Sequence, residues 1–219
     1  EMISLPLGGS GQKRLDILCL GAHCDDIEIG CGGTLLKLIG RGVVQSVTWV
    51  VFASNAERRV EALACADRFL QDVKQKTVKV FSYRDAFLSY SGLEIKEEFE
   101  NIKTTCQPDI VFTHARNDAH QDHRLLSEFT RNTFRSHFIL EYEIPKFDGD
   151  FGQPNMFVEL DREVSDLKIS HILDCYASQS AKHWFDRDTF AAVMRLRAME
   201  CASETQSAEA FYAYKILLM

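Results

Sequence analysis

The sequence predicts an α/β protein with a mostly parallel, doubly wound sheet flanked by helices. Two observations support this prediction. Short apolar segments alternate along the chain with longer amphipathic ones, a pattern typical of β-α-β units that build a parallel sheet. The length of 219 residues, without repeats or a Pro/Ser-rich linker, favours a single domain over residues 1–219.

Each predicted element follows from its hydrophobic pattern. Five apolar segments have the length of strands, at residues 15–20, 47–52, 78–81, 109–113 and 138–142. Between them, apolar residues recur at steps of three and four, which predicts helices over residues 34–39, 57–70, 95–106 and 124–135. Ligands of such sheets bind beyond the carboxyl ends of the strands, so the loops after Leu20 and Thr113 are expected to carry the chemistry.

The last third of the chain, residues 144–219, has a different pattern. Residues 145–157 contain two prolines and two glycines interleaved with three phenylalanines, which predicts an ordered loop that lines a substrate pocket. Helices over 162–173 and 189–202 and a strand over 211–217 are expected to continue the same domain. Residues 1–13 are expected to form a flexible N-terminus.

Composition excludes several classes of partner. The net charge is -7, and no block of Lys and Arg is present, so nucleic acid is not expected to bind. No stretch approaches the roughly 18 apolar residues of a membrane-spanning helix, and the N-terminus does not have the pattern of a secretory signal. We therefore expect a cytoplasmic protein that acts on a small molecule.

The seven cysteines favour reduced, buried thiols. Their number is odd, they are scattered among hydrophobic neighbours, and no CxxC pair occurs. A thiolate zinc ribbon is therefore not expected. Any metal would be held by histidine and carboxylate.

Two polar clusters follow predicted strands. One histidine and three acids lie within residues 23–28, and three of the seven histidines lie within residues 114–123. Because both clusters fall at strand ends of one parallel sheet, they can converge across a single crevice. Zinc accepts imidazole and carboxylate ligands and is the first choice, with Fe²⁺ as the alternative; calcium or magnesium would not need the imidazoles.

The same residues resemble a known family. Two segments are similar to the paired signature motifs of the PIG-L/LmbE-type N-deacetylases: residues 23–28, followed by Gly32-Gly33-Thr34, and His120-Gln121-Asp122-His123. The resemblance implies a Rossmann-like fold, one zinc ion per chain and hydrolysis of the N-acetyl or other N-acyl group of an amino sugar or its conjugate. Relatives commonly form homo-oligomers, as trimers or hexamers.

The resemblance also implies a role for each matching position. His23, Asp26 and His123 correspond to the zinc ligands, and Asp25 corresponds to the general base. His120 corresponds to the residue that stabilises the oxyanion or transfers a proton, with Asp122 orienting it. The acid that protonates the leaving amine is either Asp25 or His120.

Further positions are expected to contact substrate or to depart from the family. Arg58 resembles a substrate-contacting arginine, although Arg59 is one residue away. Trp184 could stack on a sugar face or simply pack on the core. The family has proline where this chain has Cys24, which loosens the turn and raises the question of whether the thiol contacts the metal.

The roles of His114 and of residues 30–33, and the reaction itself, admit more than one interpretation. His114 is not at a ligand position of the family, and residues 30–33 are expected to serve close packing of a helix on the sheet rather than to bind phosphate. Two other functions are considered: a metal-dependent hydratase or lyase on the same scaffold, and a non-catalytic protein that binds a sugar or another metabolite. The retained Asp25 argues against the last, because a simple metal site does not use an additional acid.

Overall fold

The computed structural model describes residues 13–217, which contain a single sheet with helices on both faces. The seven strands are β1 (Leu15–Gly21), β2 (Val44–Ala53), β3 (Gln75–Tyr83), β4 (Ile110–His114), β5 (Phe138–Tyr142), β6 (Met156–Glu159) and β7 (Ala208–Ala213). The six α-helices are α1 (Asp26–Gly40), α2 (Ala56–Phe69), α3 (Gly92–Thr105), α4 (Gln121–Thr133), α5 (Arg162–Cys175) and α6 (Arg187–Glu200). The expected flexible N-terminus falls almost wholly on residues 1–12, outside the described range.

The sheet has the strand order β3-β2-β1-β4-β5-β7-β6. Strands β1 to β5 run parallel, whereas β7 pairs antiparallel with both β5 and β6. The chain winds outward from β1 to β3 and then returns to place β4 on the other side of β1. The point between β1 and β4 is therefore the topological switch point, where doubly wound sheets bind their ligands.

Alternation along the strands divides the core into two layers. On β1, Ile17 and Cys19 pack into the core beneath α1, α2, α5 and α6, while Leu18 and Leu20 pack into the core beneath α3 and α4. This alternation follows from the two-residue period of a strand, which sends successive side chains to opposite faces. The predicted doubly wound α/β fold is confirmed.

The largest differences from the sequence-based expectations concern three elements. Helix α1 begins at Asp26, eight residues before the predicted start at residue 34. Strand β6 was not expected and begins at Met156, near the end of the loop expected over residues 145–157, and the final strand ends at Ala213 rather than at residue 217. No helix within residues 13–217 has the length and apolar character required to cross a membrane.

The glycines of α1 explain why the sequence pattern did not predict its first two turns. Glycine disfavours a helix by about 1 kcal/mol relative to alanine, which hides the first two turns from a pattern search. Here close packing requires it: a Cβ on Gly30 would lie 2.2 Å from the Tyr142 ring, and one on Gly33 would lie 2.5 Å from Leu160. The expectation that residues 30–33 serve close packing is confirmed.

Candidate metal centre

The two polar clusters meet at the switch point. Strand β1 ends at Gly21 and leads into residues 22–26, which we call the β1–α1 turn. Strand β4 ends at His114, and the loop after it leads into α4 at Gln121. Because β1 and β4 are hydrogen-bonded neighbours with parallel direction, both loops leave the same edge of the sheet side by side.

The three expected ligands form a compact triangle of donor atoms. His23 Nδ1 lies 3.1 Å from His123 Nε2 and 3.3 Å from Asp26 Oδ2, and the last two atoms are 3.6 Å apart. Donors at about 2.0–2.1 Å from a tetrahedral zinc ion are separated by about 3.3 Å, so the triangle fits such an ion. Burial and the neighbouring His114 lower the pKa of His123 to about 4, which leaves this imidazole neutral, as a ligand must be.

Alternative donor sets overlap this triangle. Besides this triangle, three overlapping groups of donors in the described part of the chain lie within 4.8 Å of one another: His23, His120 and His123; His23, Asp85, His120 and Asp122; and Asp26, His114 and His123. His114 is fully buried, and its ring stacks on His123 with centroids 3.9 Å apart. Its Nε2 accepts a hydrogen bond from the Ala22 N–H at 3.0 Å, which uses the lone pair that a metal would need. This bond favours a supporting position for His114 beneath the triangle.

The outer nitrogen of each imidazole in the triangle faces a carboxylate. His23 Nε2 lies 3.0 Å from Asp85 Oδ1, and His123 Nδ1 lies 2.9 Å from Asp118 Oδ2. Such carboxylates fix the orientation and tautomer of metal-binding histidines. The hydrogen bond with His23 lowers the pKa of Asp85 to about 2. Burial opposes ionisation of Asp118, but its hydrogen bond with His123 and the nearby positive charges outweigh this effect and hold its pKa below the ordinary value.

Sequence reasoning did not single out these two carboxylates. Asp118 lies within the second polar cluster, and Asp85 follows β3, whose carboxyl end points to the same edge of the sheet. The position of Asp85 after a parallel strand was therefore a usable signal. Asp85 has no histidine or second acid near it in the sequence, and this concealed it.

Asp25 is buried in the β1–α1 turn, directly before Asp26, and is paired with Arg58. Asp25 is only 5% exposed, and its Oδ1 lies 3.0 Å from Arg58 Nη2. Arg58 occupies the first turn of α2, where its backbone N–H bonds to the side chain of the helix cap Asn55. Arg59 instead directs its guanidinium to the Val80 carbonyl, so Arg58 is the arginine that pairs with Asp25.

His120 and Asp122 lie at the start of α4, and no hydrogen bond joins their two side chains. The ring of His120 packs edge-on to His23 at 4.8 Å, and its Nδ1 accepts a hydrogen bond from the backbone N–H of Asp122. The Asp122 carboxylate instead accepts hydrogen bonds from the backbone N–H groups of Ala86 and Leu88. It therefore holds the segment that carries Asp85, rather than orienting the His120 ring. Burial, followed by the neighbouring imidazoles of His123 and His23, lowers the pKa of His120.

Comparison with known proteins agrees with this geometry. The family described as GlcNAc-PI de-N-acetylase (PIG-L) matches residues 18–134, which include the second half of β1, the β1–α1 turn and both polar clusters. The match covers more than half of the chain. The protein belongs to the PIG-L family of de-N-acetylases.

Individual relatives of this PIG-L protein are distant in sequence. It is 25% identical to the uncharacterized deacetylase YaiS of Escherichia coli over 177 residues, covering 78% of this chain and 95% of YaiS. The N,N'-diacetylchitobiose deacetylase of Pyrococcus horikoshii is similar in structure, with a TM-score of 0.70, 22% identity and coverage of 91% of this chain and 83% of the other. The 4-carboxy-2-hydroxymuconate hydratase GalB of Pseudomonas putida gives a TM-score of 0.72 at 15% identity, over 94% and 98% of the two chains. These two structures show that the fold is shared.

Cys24 is the position where this PIG-L chain departs from the motif of its family. The thiol is buried and donates a hydrogen bond to the Ala53 carbonyl at 3.5 Å. Burial raises the pKa of Cys24 to about 12, so the group remains a neutral thiol. The structure thus directs the sulfur towards β2, and none of the donor groups near the triangle includes it.

Two features of the C-terminal third lie near the segments expected to contact substrate. Trp184 packs half-buried on the core, with Lys182 above its ring and Phe185 beside it, so its contact with a substrate stays a prediction. A polar cavity of about 630 Å³ opens beside the second cluster, and its lining includes Asp118, Glu143 and Lys146. Lys146 Nζ lies 3.0 Å from Asp118 Oδ2, which joins the loop after β5 to the His123 side of the centre.

Proposed function

We propose that this PIG-L protein is a zinc-dependent hydrolase that removes the N-acetyl or other N-acyl group of an amino sugar or its conjugate. The observation that carries the proposal is the triangle of His23 Nδ1, Asp26 Oδ2 and His123 Nε2 with the buried carboxylate of Asp25 beside it. The substrate class is supported by the activity named for the family and by the structural similarity to a diacetylchitobiose deacetylase.

The donor set suits Zn²⁺ best, with Fe²⁺ as the alternative, because two imidazoles and one carboxylate fit both ions. When bound, the ion supplies Lewis-acid polarisation of the amide carbonyl and makes water more acidic. His23, Asp26 and His123 would hold it, and Asp85 and Asp118 would orient the two imidazoles. The pairing of each outer nitrogen with a carboxylate supports this assignment.

The remaining polar residues would handle protons and position the substrate. Asp25 would accept the proton of the attacking water at its carboxylate, which Arg58 keeps in place through the 3.0 Å ion pair. His120 would donate a hydrogen bond to the oxygen that gains negative charge. The leaving amine would take its proton from Asp25 or His120. Residues 144–153, beside the polar cavity, would form part of the substrate wall.

Metal analysis and product analysis together test the proposal. The purified protein should contain about one zinc ion per chain and should release equal amounts of acetate and primary amine from N-acetylglucosamine or N,N'-diacetylchitobiose. His123→Ala should lose the metal, because only two of the three donors remain. Asp25→Asn should retain the metal and lose at least about 100-fold in turnover, the lower range for a general base.

His137→Ala is the matched control. His137 precedes β5 and therefore lies at the opposite edge of the sheet from the centre. Its replacement should change neither the metal content nor the release of amine. A correctly folded protein that takes up no divalent metal would disprove the assignment of the centre.

A hydratase is the second candidate function. The similarity to GalB over 94% of this chain favours it, because a metal and a base can also add water to a carbon-carbon double bond. The two functions differ in their products. A protein that binds zinc, releases no amine from amide substrates and hydrates an unsaturated dicarboxylic acid would be a hydratase.

A further inference from the structure

Tyr176 contacts the backbone of the β1–α1 turn. It is a buried residue directly after α5, outside the segment that matches the family. Its hydroxyl donates a hydrogen bond to the backbone carbonyl of Cys24 and lies 2.5 Å from Glu28 Oε1. The Cys24 carbonyl belongs to the peptide that joins Cys24 to Asp25. The hydroxyl therefore holds the backbone midway between His23 and Asp26.

The ring of Tyr176 also supports the partner of Asp25. The guanidinium carbon of Arg58 lies 5.5 Å from the centre of the Tyr176 ring, within the range of a cation–π interaction. The same guanidinium reaches Asp25 Oδ1 at 3.0 Å. One side chain thus contacts both the backbone before Asp25 and the arginine that holds its carboxylate.

The position of Tyr176 is fixed independently of the turn. Two residues later, the backbone N–H and the hydroxyl of Ser178 donate to the two carboxylate oxygens of Glu61 at 2.8 Å and 2.6 Å. Glu61 lies on α2, and its Oε2 is 3.8 Å from Arg58 Nε. Residues 176–178 are therefore anchored on α2, which makes Tyr176 a rigid support rather than a mobile side chain.

We propose that Tyr176 is a positioning residue for the metal centre. Its hydroxyl keeps the β1–α1 turn in the geometry in which His23, Asp25 and Asp26 converge, and its ring keeps Arg58 against Asp25. The inference rests on the proposed function for the role of Asp25. The effect of Tyr176 on the positions of His23 and Asp26 should change the affinity for metal, which can be measured without any substrate.

Tyr176→Phe tests the inference because it removes one oxygen atom and keeps the ring beneath Arg58. The dissociation constant for Zn²⁺, measured by competition with a chromophoric chelator, should rise about 10-fold, the lower end for loss of a group that orients metal ligands. With N,N'-diacetylchitobiose, kcat should fall about 10-fold while KM changes less than about 2-fold, because the hydroxyl acts on the catalytic turn and not on the substrate.

Tyr212→Phe is the matched control. The Tyr212 hydroxyl donates to Glu143 Oε1 at 2.6 Å, so this variant loses a comparable hydrogen bond away from the turn. It should leave zinc affinity unchanged. Equal zinc affinity in Tyr176→Phe and Tyr212→Phe would overturn the inference. A weaker zinc affinity in Tyr176→Phe, with no amine released even by the unmodified protein, would reject the proposed function and keep the positioning role.

If circular dichroism shows that Tyr176→Phe does not fold, Ser178→Ala provides a second test. It removes one of the two bonds that anchor Tyr176 on Glu61 and leaves Tyr176 itself intact. The dissociation constant for Zn²⁺ should rise about 2- to 3-fold, a smaller effect than loss of the hydroxyl itself. Unchanged affinity in Ser178→Ala would then count against the inference.

Discussion

At the scale of single residues, the proposed centre depends on the side chains that orient the expected metal ligands as much as on those ligands themselves. An imidazole offers a lone pair from only one tautomer and one ring orientation, and a hydrogen bond at the other nitrogen selects both. Asp85 and Asp118 occupy these positions beside His23 and His123. The network extends outward, because Asp118 also contacts Lys146, and Lys146 binds Asp150.

Asp118→Asn should weaken zinc binding by about 10- to 100-fold. The amide can still accept a hydrogen bond from His123 Nδ1, but it has no negative charge to increase the basicity of the ring. The measurement is the zinc dissociation constant by chelator competition. Asp150→Asn is the control, since it removes the other carboxylate beside Lys146 without touching His123. Equal losses in both variants would place the effect in the loop around Lys146 and not at His123.

At the scale of elements, a buried ion pair forms hydrogen bonds with the backbone of α1 and holds this helix in place. Lys168 on α5 donates to the Ile29 carbonyl and to Glu209 Oε1, both at 2.6 Å. The Glu209 carboxylate on β7 accepts the backbone N–H groups of Gly33 and Thr34 at 2.8 Å and 2.7 Å. Residues on α5 and β7 thus bind the backbone of α1, the helix that begins at Asp26.

Glu209→Gln should lower the free energy of unfolding by about 3–5 kcal/mol, because the Lys168 ammonium stays buried without its counter-charge. Equilibrium denaturation in urea measures the loss. The double variant Lys168→Met/Glu209→Gln should recover part of it, since no charge then remains buried. Glu159→Gln, at an exposed acid on the neighbouring β6, should stay within about 0.5 kcal/mol of the unmodified protein. If Glu209→Gln also changes the free energy of unfolding by less than about 0.5 kcal/mol, the ion pair does not stabilise α1.

The sequence predicted the elements whose hydrophobic pattern is strong and missed those that tertiary contacts determine. The prediction for β5 coincides with the strand, and the predictions for α2 and α5 are within two residues. The first turns of α1 were missed because the packing that favours Gly30 and Gly33 is formed by residues more than one hundred positions away. The antiparallel direction of β7 has no local signal, since a strand pattern does not encode its partner.

The same distinction applies to the centre. The acid and histidine clusters were visible because their residues are close in sequence and follow strands. The carboxylate of Asp122 was expected at His120, yet it bonds to Ala86 and Leu88. Which of several nearby polar groups an acid contacts depends on rotamers and on a loop more than thirty residues earlier. Local sequence does not contain that information.

At the scale of the whole molecule, the centre joins the two halves of the doubly wound sheet. His23 and Asp26 follow β1, whereas His123 lies on α4, beyond β4, one hundred positions later. The donors are assembled only when β1 and β4 are paired. A metal ion that needs all three donors therefore binds the folded chain and not the unfolded one.

Metal binding should accordingly stabilise the fold by mass action. At a free zinc concentration 100-fold above the dissociation constant, the gain is about 2.7 kcal/mol. For a chain of this length it corresponds to a rise in Tm of about 5–10 °C. Differential scanning calorimetry with zinc and with a chelator would measure the shift. His137→Ala should retain it and His123→Ala should not; an equal shift in His123→Ala would show that zinc binds elsewhere, because that variant cannot close the triangle across β1 and β4.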